Sequence, residues 1–297
     1  MPRIAILADI HGNVPALEAT VADIEAQQVD EVLVGGDLVG RGPQGRRVVE
    51  RIRELGWPTI RGNHEDYLLS FRRGEVPENW LETDEWAASR WMAAELDDDS
   101  VRFIEALPFS IRSSLTADLL LVHGSPRSHS DGLGPWSSDE ELAVHLQSIG
   151  EPILVCAHTH RQMLRQLSDG LVVNVGSVGL PFNGDRRAQY AILEAADGAW
   201  RTDLRRVEYD LEQTLAIYES SGFLRQGGIT ARLLKMELER AAAILVPFLE
   251  WARTEGVPAT HQALDGFLEV YDPGEPLAAF FRRLRERARR RKPSTGH

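Results

Sequence analysis

The chain has 297 residues, of which 43% are hydrophobic and 26% are charged, and its formal net charge is −12. This composition is typical of a globular protein with one large domain or a domain with an appendage. The negative charge argues against nucleic acid as the main partner. No apolar run approaches the roughly 20 residues of a membrane helix, and the single cysteine excludes an intrachain disulfide.

The chain begins with Met1-Pro2-Arg3, which leads directly into a predicted strand and shows no signal-peptide pattern. We therefore expect a cytoplasmic protein without a membrane partner. The single cysteine, Cys156, lies inside another predicted strand, where a small buried thiol is a better interpretation than a reactive nucleophile.

Predicted strands and helices alternate up to about residue 206. Five short apolar runs are predicted as strands that end at loops: Ile4–Ala8, Val32–Val34, Thr59–Ile60, Leu119–Val122 and Ile153–Cys156. Predicted helices lie at 13–28, 48–55 and 65–107, and later strands are predicted at 171–175, 189–194 and 200–208. The alternation indicates an α/β or α+β fold with two sheets between helices.

The pattern changes after residue 206, where helical segments follow one another: Leu211–Ser220, Thr230–Arg253, His261–Tyr271 and Leu277–Arg291. None of them carries a cluster of metal-ligand residues. We therefore predict one domain at 1–206 and a helical C-terminal extension at 207–297. The extension is predicted to be a packing buttress, a contact in a homo-oligomer or a lid over the substrate, and the sequence leaves all three open.

The end of the extension is basic, with eight basic residues and one acidic residue between Arg282 and Lys292. We interpret this segment as a solvated, partly helical end that compensates the acidic body. Weak binding of RNA, DNA or acidic lipid is the alternative.

Polar side chains that bind divalent metals follow each of the five predicted strands: Asp9 and His11, then Asp37, then Asn63 with His64 and Glu65, then His123, and finally His158 and His160. Asp9 and His11 are two positions apart, so both can face the same way at the end of a strand. Gly35 and Gly36 let the backbone turn sharply before Asp37. Carboxylate, amide and imidazole groups suit two adjacent divalent ions. Because a sheet can bring separate strand ends to one edge, the sequence predicts a shared metal site.

The order of these motifs resembles that of the calcineurin-like metallophosphoesterase superfamily, in particular the small bacterial and archaeal phosphodiesterases of the YfcE type. The resemblance covers residues 1 to about 206. It depends on Asp9-Ile-His11-Gly-Asn13, Gly36-Asp37-Leu-Val-Gly40-Arg41-Gly42, Gly62-Asn63-His64-Glu65, His123-Gly-Ser125 and Ala157-His158-Thr-His160. The resemblance implies a four-layer αββα sandwich of two mixed sheets flanked by helices, with the site at the loop edge of the sheets.

The resemblance also implies two divalent metal ions, with manganese favoured and iron, zinc, nickel or cobalt as alternatives. The implied ligands are Asp9, His11 and His160 for the first ion, Asn63, His123 and His158 for the second, and Asp37 as a bridge between them. His64 would be a catalytic group rather than a ligand. Arg41 is either a clamp for the phosphate or a solvated loop arginine. Phe182 either stacks on an aromatic leaving group or fills an exposed turn.

One departure from the superfamily concerns Gly40. The Ser/Thr protein phosphatases of the superfamily have an Asp at this place, which orients and charges the catalytic histidine. Gly40 offers no side chain, so His64 must find another partner or act unassisted. This departure weakens a protein-phosphatase interpretation. A second departure, Ala157 where the family usually has Gly, is a small change.

We therefore expect a hydrolase of small phosphate esters, with phosphodiesters favoured. Two ions about 3.5–4 Å apart would activate a bridging hydroxide that attacks phosphorus, and protonated His64 would assist the leaving group. The alternatives are a phosphomonoesterase, either a protein phosphatase or a dinucleoside-polyphosphate hydrolase, and a non-catalytic scaffold for protein contacts. A scaffold would be free to lose ligands, so the full set favours an enzyme.

Overall fold

The computed structural model describes residues 2–196, 199–275 and 277–291. Lys292, the last residue of the predicted basic segment, lies outside the described residues. The strands within these ranges are β1 (Arg3–Leu7), β2 (Glu31–Val34), β3 (Ser110–Arg112), β4 (Leu119–Val122), β5 (Ile153–Cys156), β6 (Met163–Leu167), β7 (Gly170–Asn174), β8 (Ala188–Ala196) and β9 (Ala199–Val207).

Helices separate the first strands and make up the C-terminal part. They are α1 (Val14–Ala26), α2 (Gly45–Leu55), α3 (Asn63–Arg73), α4 (Glu78–Glu82), α5 (Ala87–Glu95), α6 (Asp98–Glu105), α7 (Asp139–Ile149), α8 (Leu211–Ser220), α9 (Phe223–Gln226), α10 (Gly228–Arg240), α11 (Leu245–Glu255), α12 (His261–Leu268) and α13 (Leu277–Arg291). A 3₁₀ turn at Asp84–Trp86 precedes α5. Within the described ranges, no helix is both long and apolar enough to cross a bilayer.

The strands form two mixed sheets, with the orders β2-β1-β8-β9 and β3-β4-β5-β7-β6. In the first sheet, β1 is parallel to β2 and antiparallel to β8. In the second sheet, β4, β5 and β7 are parallel to one another, and both edge strands are antiparallel to their neighbours.

Alternation of side chains along the strands produces the layers. Ile4 and Ile6 of β1 lie in a core shared with the second sheet, whereas Ala5 and Leu7 lie in the core beneath the helices of the first sheet. Leu120 of β4 faces a third core that includes side chains of α7. Because successive side chains of a strand point to opposite faces, each sheet is covered on both sides. The expected αββα sandwich is therefore confirmed.

The carboxyl ends of β1, β2, β4 and β5 meet at one edge of this sandwich. The loop after β1 contacts the loop after β2, where Asp9 N donates to Gly36 O at 3.0 Å. It also contacts the loop after β5, where His158 N donates to Asp9 Oδ2 at 3.0 Å. The loops after β4 and β5 meet where Ala157 N donates to His123 O at 2.8 Å.

Several local predictions differ from the structure. The helical segment predicted at 65–107 divides into α3, α4, α5 and α6, with the 3₁₀ turn before α5. Thr59 makes only an isolated parallel bridge to Val34, so no separate strand forms at Thr59–Ile60. Two short edge strands, β3 and β6, were not predicted from the sequence. The helix predicted at 230–253 is wrong as one element, because it divides into α10 and α11.

The division between α10 and α11 has a local cause. Ala241 has φ 48°, which ends α10. The carboxylate of Glu237 then accepts hydrogen bonds from the backbone N–H groups of Ile244 and Leu245, at 2.7 and 2.9 Å. These N–H groups belong to the start of the next helix, where donors otherwise lack partners. Helices α10 to α13 share a separate apolar core that includes Phe248, Phe267 and Phe280.

Candidate metal centre and catalytic site

Backbone strain is concentrated in the loops that carry the predicted site residues. Among the residues that the structure describes, eight residues other than glycine have a positive φ. Six of these eight are predicted site residues, namely Asp9, His11, Asp37, Arg41, His158 and His160, with φ between 50° and 65°. Such a conformation costs about 1–3 kcal/mol per residue, so the surrounding fold must hold these side chains in fixed directions.

Two glycines let the Asp37 loop touch the start of α3. Gly36 has φ +86°, and a Cβ atom on it would lie 2.6 Å from Gly62 N. A Cβ atom on Gly62 would lie 2.2 Å from Asp37 Oδ1. Only glycine therefore fits at either place. This close approach lets His64 N donate to Asp37 Oδ1 at 2.8 Å and places Asn63 beside Asp37.

Glu65 holds the same two loops together through hydrogen bonds to their backbone, a role that sequence analysis missed. Its carboxylate accepts hydrogen bonds from four backbone N–H groups, at 2.7–3.2 Å, those of Asp37, Leu38, Val39 and Gly62. Burial raises the pKa of Glu65 to about 7, whereas the four donors favour its ionised form. Glu65 is consequently part of the frame of the site rather than a ligand.

The first group of candidate ligands consists of Asp9, His11, Asp37 and His160, whose ligand atoms lie within 4.8 Å of one another. The Nε2 atoms of His11 and His160 are 3.0 Å apart. His11 Nε2 lies 3.6 Å from Asp37 Oδ2 and 4.0 Å from Asp9 Oδ1. All four residues are buried. The structure thus brings together the set that the resemblance implies for the first ion and the bridge.

The second group consists of Asn63, His123 and His158. Asn63 Oδ1 lies 3.0 Å from His123 Nε2 and 2.8 Å from His158 Nδ1. His123 Nε2 lies 3.3 Å from Asp37 Oδ2. Asp37 Oδ2 is therefore close to a histidine of each group, as a bridging oxygen would be.

Backbone carbonyl groups orient most of these histidines. In three of the four, Nδ1 is 2.5–3.1 Å from a carbonyl oxygen: His11 with Val39, His123 with Gly35, and His160 with Leu180. A proton on Nδ1 satisfies that carbonyl, so Nε2 is directed at the cluster as a possible ligand atom. His158 instead directs its Nδ1 at the cluster.

Burial sets the charge of the imidazoles. It lowers the pKa of His11 to about 3 and, together with the charge of His123, that of His158 to about 4. Burial also acts against a charge on His123, but the carboxylate of Asp37 outweighs it and raises the pKa of His123 to about 10. A coordinating imidazole must be neutral, so a cation bound here would displace that proton.

Two buried carboxylate oxygens test whether the site fits metal ions. Asp9 Oδ1 and Asp37 Oδ2 make no hydrogen bond with any described residue. A buried carboxylate oxygen without a partner is costly unless a cation accompanies it. Histidine Nε2 atoms lie 3.3–4.0 Å from these two oxygens. The donor set of carboxylate, amide and imidazole groups suits divalent transition metals, so the residues present fit such ions.

His64 lies directly over Gly40. A Cβ atom on Gly40, which has φ +78°, would come within 2.4 Å of His64 Nδ1, so no side chain could occupy this position. The partner of His64 is instead Arg41, whose Nε donates to His64 Nε2 at 3.2 Å. Burial lowers the pKa of His64 well below its usual value, and Arg41 adds to this effect. Both effects disfavour a charge on His64 in this structure, and the role of a protonated His64 toward the leaving group stays a prediction.

Arg41 is anchored rather than solvated. Its Nη1 donates to Glu237 Oε2 at 2.8 Å, and its backbone oxygen accepts from the Tyr218 hydroxyl at 2.9 Å. Only 1% of the Glu237 side chain is exposed. Glu237 and Tyr218 belong to the C-terminal helices, and sequence analysis missed both because neither lies in a ligand-type motif. The alternative of a solvated loop arginine is wrong.

Phe182 packs against a candidate ligand. Its ring stacks on the imidazole of His160, with centroids 4.4 Å apart and planes at 17°. Phe182 N also donates to His160 O at 3.0 Å. Phe182 is half-buried, so the interpretation as an exposed turn residue is wrong, and its ring restrains His160.

A cavity of about 370 Å³, here called the site cavity, opens beside this centre. Arg41, Asn63 and His64 of the site are among the residues that line it. Residues of α10 and α11 line it as well. The C-terminal helices thus face the centre directly.

The fold and the buried Asp/His cluster define a metal-dependent phosphoesterase. The model of the calcineurin-like phosphoesterase family matches residues 2–162, and the chain belongs to that family. It is therefore a hydrolase that acts on phosphoric ester bonds, as expected. The superfamily is confirmed, whereas the YfcE-type branch and the identity of the metal stay predictions.

Several relatives are similar over most of the chain. An uncharacterized protein of Methanocaldococcus jannaschii, MJ0912, is 26% identical over 228 residues, 71% of this chain and 89% of that protein. The crystal structure of a metallophosphoesterase from Sphaerobacter thermophilus has a TM-score of 0.65 and 28% identity, and covers 81% of this chain and 99% of that one.

A shorter match concerns a protein with a stated substrate. A symmetrical bis(5'-nucleosyl)-tetraphosphatase of Nitrosococcus oceani is 27% identical over 123 residues, which are 40% of this chain and 43% of that protein. This chain therefore spans less than half of the length of that relative.

Proposed function

We propose that the protein hydrolyses phosphodiesters with two divalent ions bound at the predicted ligands. The observation that carries the proposal is the position of Asp37 Oδ2. This unpaired oxygen lies 3.6 Å from His11 Nε2 in one ligand group and 3.3 Å from His123 Nε2 in the other. One carboxylate placed between two sets of donor groups suits a pair of cations better than a single one.

The proposed ligand roles are those that the resemblance implies, and this arrangement supports them. Asp9, His11 and His160 would hold the first ion, Asn63, His123 and His158 the second, and Asp37 would bridge them. When bound, the ions supply Lewis acidity, which offsets charge on the phosphate and lowers the pKa of bound water. Manganese is the favoured metal, with iron, zinc, nickel and cobalt as alternatives.

His64 and Arg41 act on the other side of the phosphate. The guanidinium of Arg41 stays charged and contacts the phosphate, while Glu237 fixes its direction. An entering phosphate raises the pKa of the His64 imidazole, because a nearby anion favours the protonated form. His64 can then donate its proton to the leaving oxygen.

The charge at the site cavity favours a diester over a monoester. Arg41 is the one arginine or lysine among the described residues that line the cavity, and Glu237 already offsets its charge. A diester carries one negative charge, whereas a monoester at neutral pH carries up to two. The diester therefore needs less positive charge from the cavity than the monoester does.

We further propose that the chain divides at about residue 206 into a phosphoesterase domain and an extension that completes its site. Contacts between the two parts support the role of the extension in completing the site. Besides the Arg41–Glu237 pair, the Thr214 hydroxyl donates to Asn13 Oδ1 at 3.1 Å, and Gly184 N donates to Ala241 O at 3.0 Å.

The test uses bis(p-nitrophenyl) phosphate with Mn²⁺ against EDTA, together with metal analysis of the purified protein. We expect Mn²⁺-dependent turnover and a higher kcat/KM than for p-nitrophenyl phosphate. His64→Ala should lower kcat about 10²–10⁴-fold and leave two metal equivalents bound. His261→Ala, at an exposed position, is the control.

Two results would contradict the proposal. One is the absence of turnover with Mn²⁺, Fe²⁺, Ni²⁺, Zn²⁺ and Co²⁺ alike. The other is full activity of His64→Ala, which would remove the assigned role of His64.

A dinucleoside-polyphosphate hydrolase is the second candidate, favoured by the match to the Nitrosococcus oceani protein. A polyphosphate chain would need several cations beyond the metal ions. The described lining of the site cavity offers Arg41 and no further arginine or lysine. Release of ADP from diadenosine tetraphosphate at a higher kcat/KM than for any diester would favour this second candidate.

A further inference from the structure

We propose that the site cavity binds an uncharged aromatic group attached to the leaving oxygen of the substrate. The inference rests on the proposed function, since it assigns the organic part of the same phosphate ester. It names a substrate class that the ligand residues alone do not define.

The position of the cavity identifies the leaving-group side. His64, Arg41 and Asn63 are among the residues that line it. The deeply buried ligands Asp9 and His123, which are 0% exposed, do not line it. A phosphate held at the ligands therefore meets the cavity on the side of His64. Because His64 donates to the leaving oxygen, the group on that oxygen extends into the cavity.

The walls of the cavity are mainly apolar. Tyr67 and Val246 are large hydrophobic residues that are 42% and 51% exposed, and both line the cavity. Leu234 of α10 and Leu249 of α11 line it as well. Exposed apolar side chains gathered in one concave site are typical of a binding site for an apolar group. The volume of about 370 Å³ lies within the range of small-molecule sites, about 300–1,000 Å³.

Aromatic rings at the cavity favour a flat, aromatic ligand. The ring of Tyr67 lies 6.0 Å from the ring of His64. Its plane is within 6° of that of Trp80 and within 15° of that of Trp86. Trp80 and Trp86 stack on each other with centroids 3.7 Å apart. A flat ring next to His64 can join this parallel set by offset stacking.

The charges on the lining exclude a second anionic group. Besides Arg41, whose charge is offset by Glu237, the described lining carries the acidic residue Glu85. A further phosphate or carboxylate in the cavity would lack a cation and meet Glu85. The aromatic group is therefore uncharged.

Binding of phosphinates tests the inference without hydrolysis. Dimethylphosphinate and methyl(1-naphthylmethyl)phosphinate carry the same single charge, and their organic groups are attached through P–C bonds that are not hydrolysed. With Mn²⁺-loaded full-length protein, calorimetry should show that the naphthyl compound binds about ten- to a hundredfold more tightly. Methyl(hexyl)phosphinate should bind less tightly than the naphthyl compound, because it cannot stack.

Val246→Trp should fill the cavity and reduce the naphthyl preference at least fivefold, with dimethylphosphinate binding unchanged. Val144→Trp is the matched control, because Val144 is 59% exposed on α7 and does not line the cavity. Val246→Ser, which removes apolar surface without adding bulk, should reduce the preference about threefold. Val246→Ser provides the test if the tryptophan of Val246→Trp disturbs folding.

The outcomes separate this inference from the proposed function. Mn²⁺-dependent binding of all three phosphinates with equal affinity would overturn the inference and leave the proposed function intact. Hexyl binding as tight as naphthyl binding would overturn the aromatic assignment. No Mn²⁺-dependent binding of any phosphinate, with no turnover of any ester, would overturn both.

Discussion

The ligand loops and the C-terminal helices meet at one phosphate site but are built differently. The loops hold their side chains through strained backbone, close glycine contacts and the four N–H groups that bind Glu65. The C-terminal helices act through side chains that reach across, such as Glu237, and through an apolar wall. The comparison suggests that rigid loops provide the phosphate chemistry and that the helices determine which ester enters.

Removal of Asp37, the proposed bridging carboxylate, should have the largest effect on the loop region. Asp37→Asn keeps the shape of the side chain but loses the charge shared by both ligand groups, so we expect fewer than two metal equivalents per chain. The value of kcat/KM should fall at least about a hundredfold. Metal analysis and Mn²⁺-dependent turnover measure both. Asp98→Asn, at a side chain that is 84% exposed, is the control, and retention of both ions with full activity would contradict the bridge.

The next prediction tests whether His64 needs the space above Gly40. A Cβ atom there would lie 2.4 Å from His64 Nδ1, so Gly40→Ala should displace the imidazole. We expect kcat to fall about a hundredfold, because a small misplacement of a catalytic group is costly. The bound metal should stay at two equivalents.

Gly150→Ala separates displacement from backbone strain. Gly150 has φ +82°, close to the +78° of Gly40, but a Cβ atom on it would meet nothing within 4 Å. Gly40→Ala should lose at least as much stability in thermal unfolding as Gly150→Ala, because it adds a steric contact to the same strain, and only Gly40→Ala should lose activity. Equal kcat in the two variants would mean that the position of His64 does not limit the reaction.

A smaller effect is expected where the helices reach the site. Glu237→Gln keeps the shape of the side chain, but it leaves the charge of Arg41 uncompensated and replaces one accepting oxygen with a nitrogen that cannot accept a hydrogen bond. We expect kcat/KM to fall about tenfold, by analogy with residues that orient metal ligands. The extra positive charge also lowers the pKa of His64, so the alkaline limb of the kcat profile should move to lower pH.

Glu239→Gln on the same helix is the control for Glu237→Gln, because Glu239 pairs with Lys235 and not with Arg41. An unchanged pH profile for Glu237→Gln would show that Glu237 only packs. Glu237 is not a predicted metal ligand. Glu237→Gln should therefore leave the metal content at two equivalents.

The smallest effect is expected away from both regions. Asp23 of α1 binds Arg205 of β9 with Nε and Nη2 contacts of 2.8 and 3.0 Å, and the hydrogen bond from Arg205 lowers the pKa of Asp23. The Asp23–Arg205 ion pair therefore stabilises the folded chain above the unfolded-state pKa of Asp, about 3.9, and this stabilisation is lost as the pH falls below that value. Asp23→Asn should lower the free energy of unfolding by about 1 kcal/mol or less at pH 7.

Chemical unfolding of Asp23→Asn at pH 7 and pH 3.5 checks this sign. The difference from the unaltered protein should shrink at the lower pH, and kcat should not change. A difference that grows as the pH falls would mean that the pair does not stabilise the folded chain.

The metal centre was predictable from the sequence because each ligand directly follows an apolar run. Parallel strands bring Asp9 and Asp37 to one edge of the first sheet, and they bring His123 and His158 to one edge of the second. The edge strand β6 was not predictable, because exposed residues such as Leu164 make its pattern ambiguous. Glu237 lies 196 positions from Arg41 in a helix without ligand motifs. Its role depends on tertiary packing, which local patterns do not encode.

The two candidate ligand groups each draw on both sheets of the sandwich: Asp9, His11 and Asn63 follow elements of the first, and His123, His158 and His160 follow strands of the second. Ions bound there would tie the sheets together at one edge, and such binding stabilises the folded chain as a whole. A cell short of the metal would then hold less of this protein, because unloaded copies unfold and are degraded more often. The supply of metal would thus determine both the amount of this protein in the cell and the rate at which it hydrolyses its substrate.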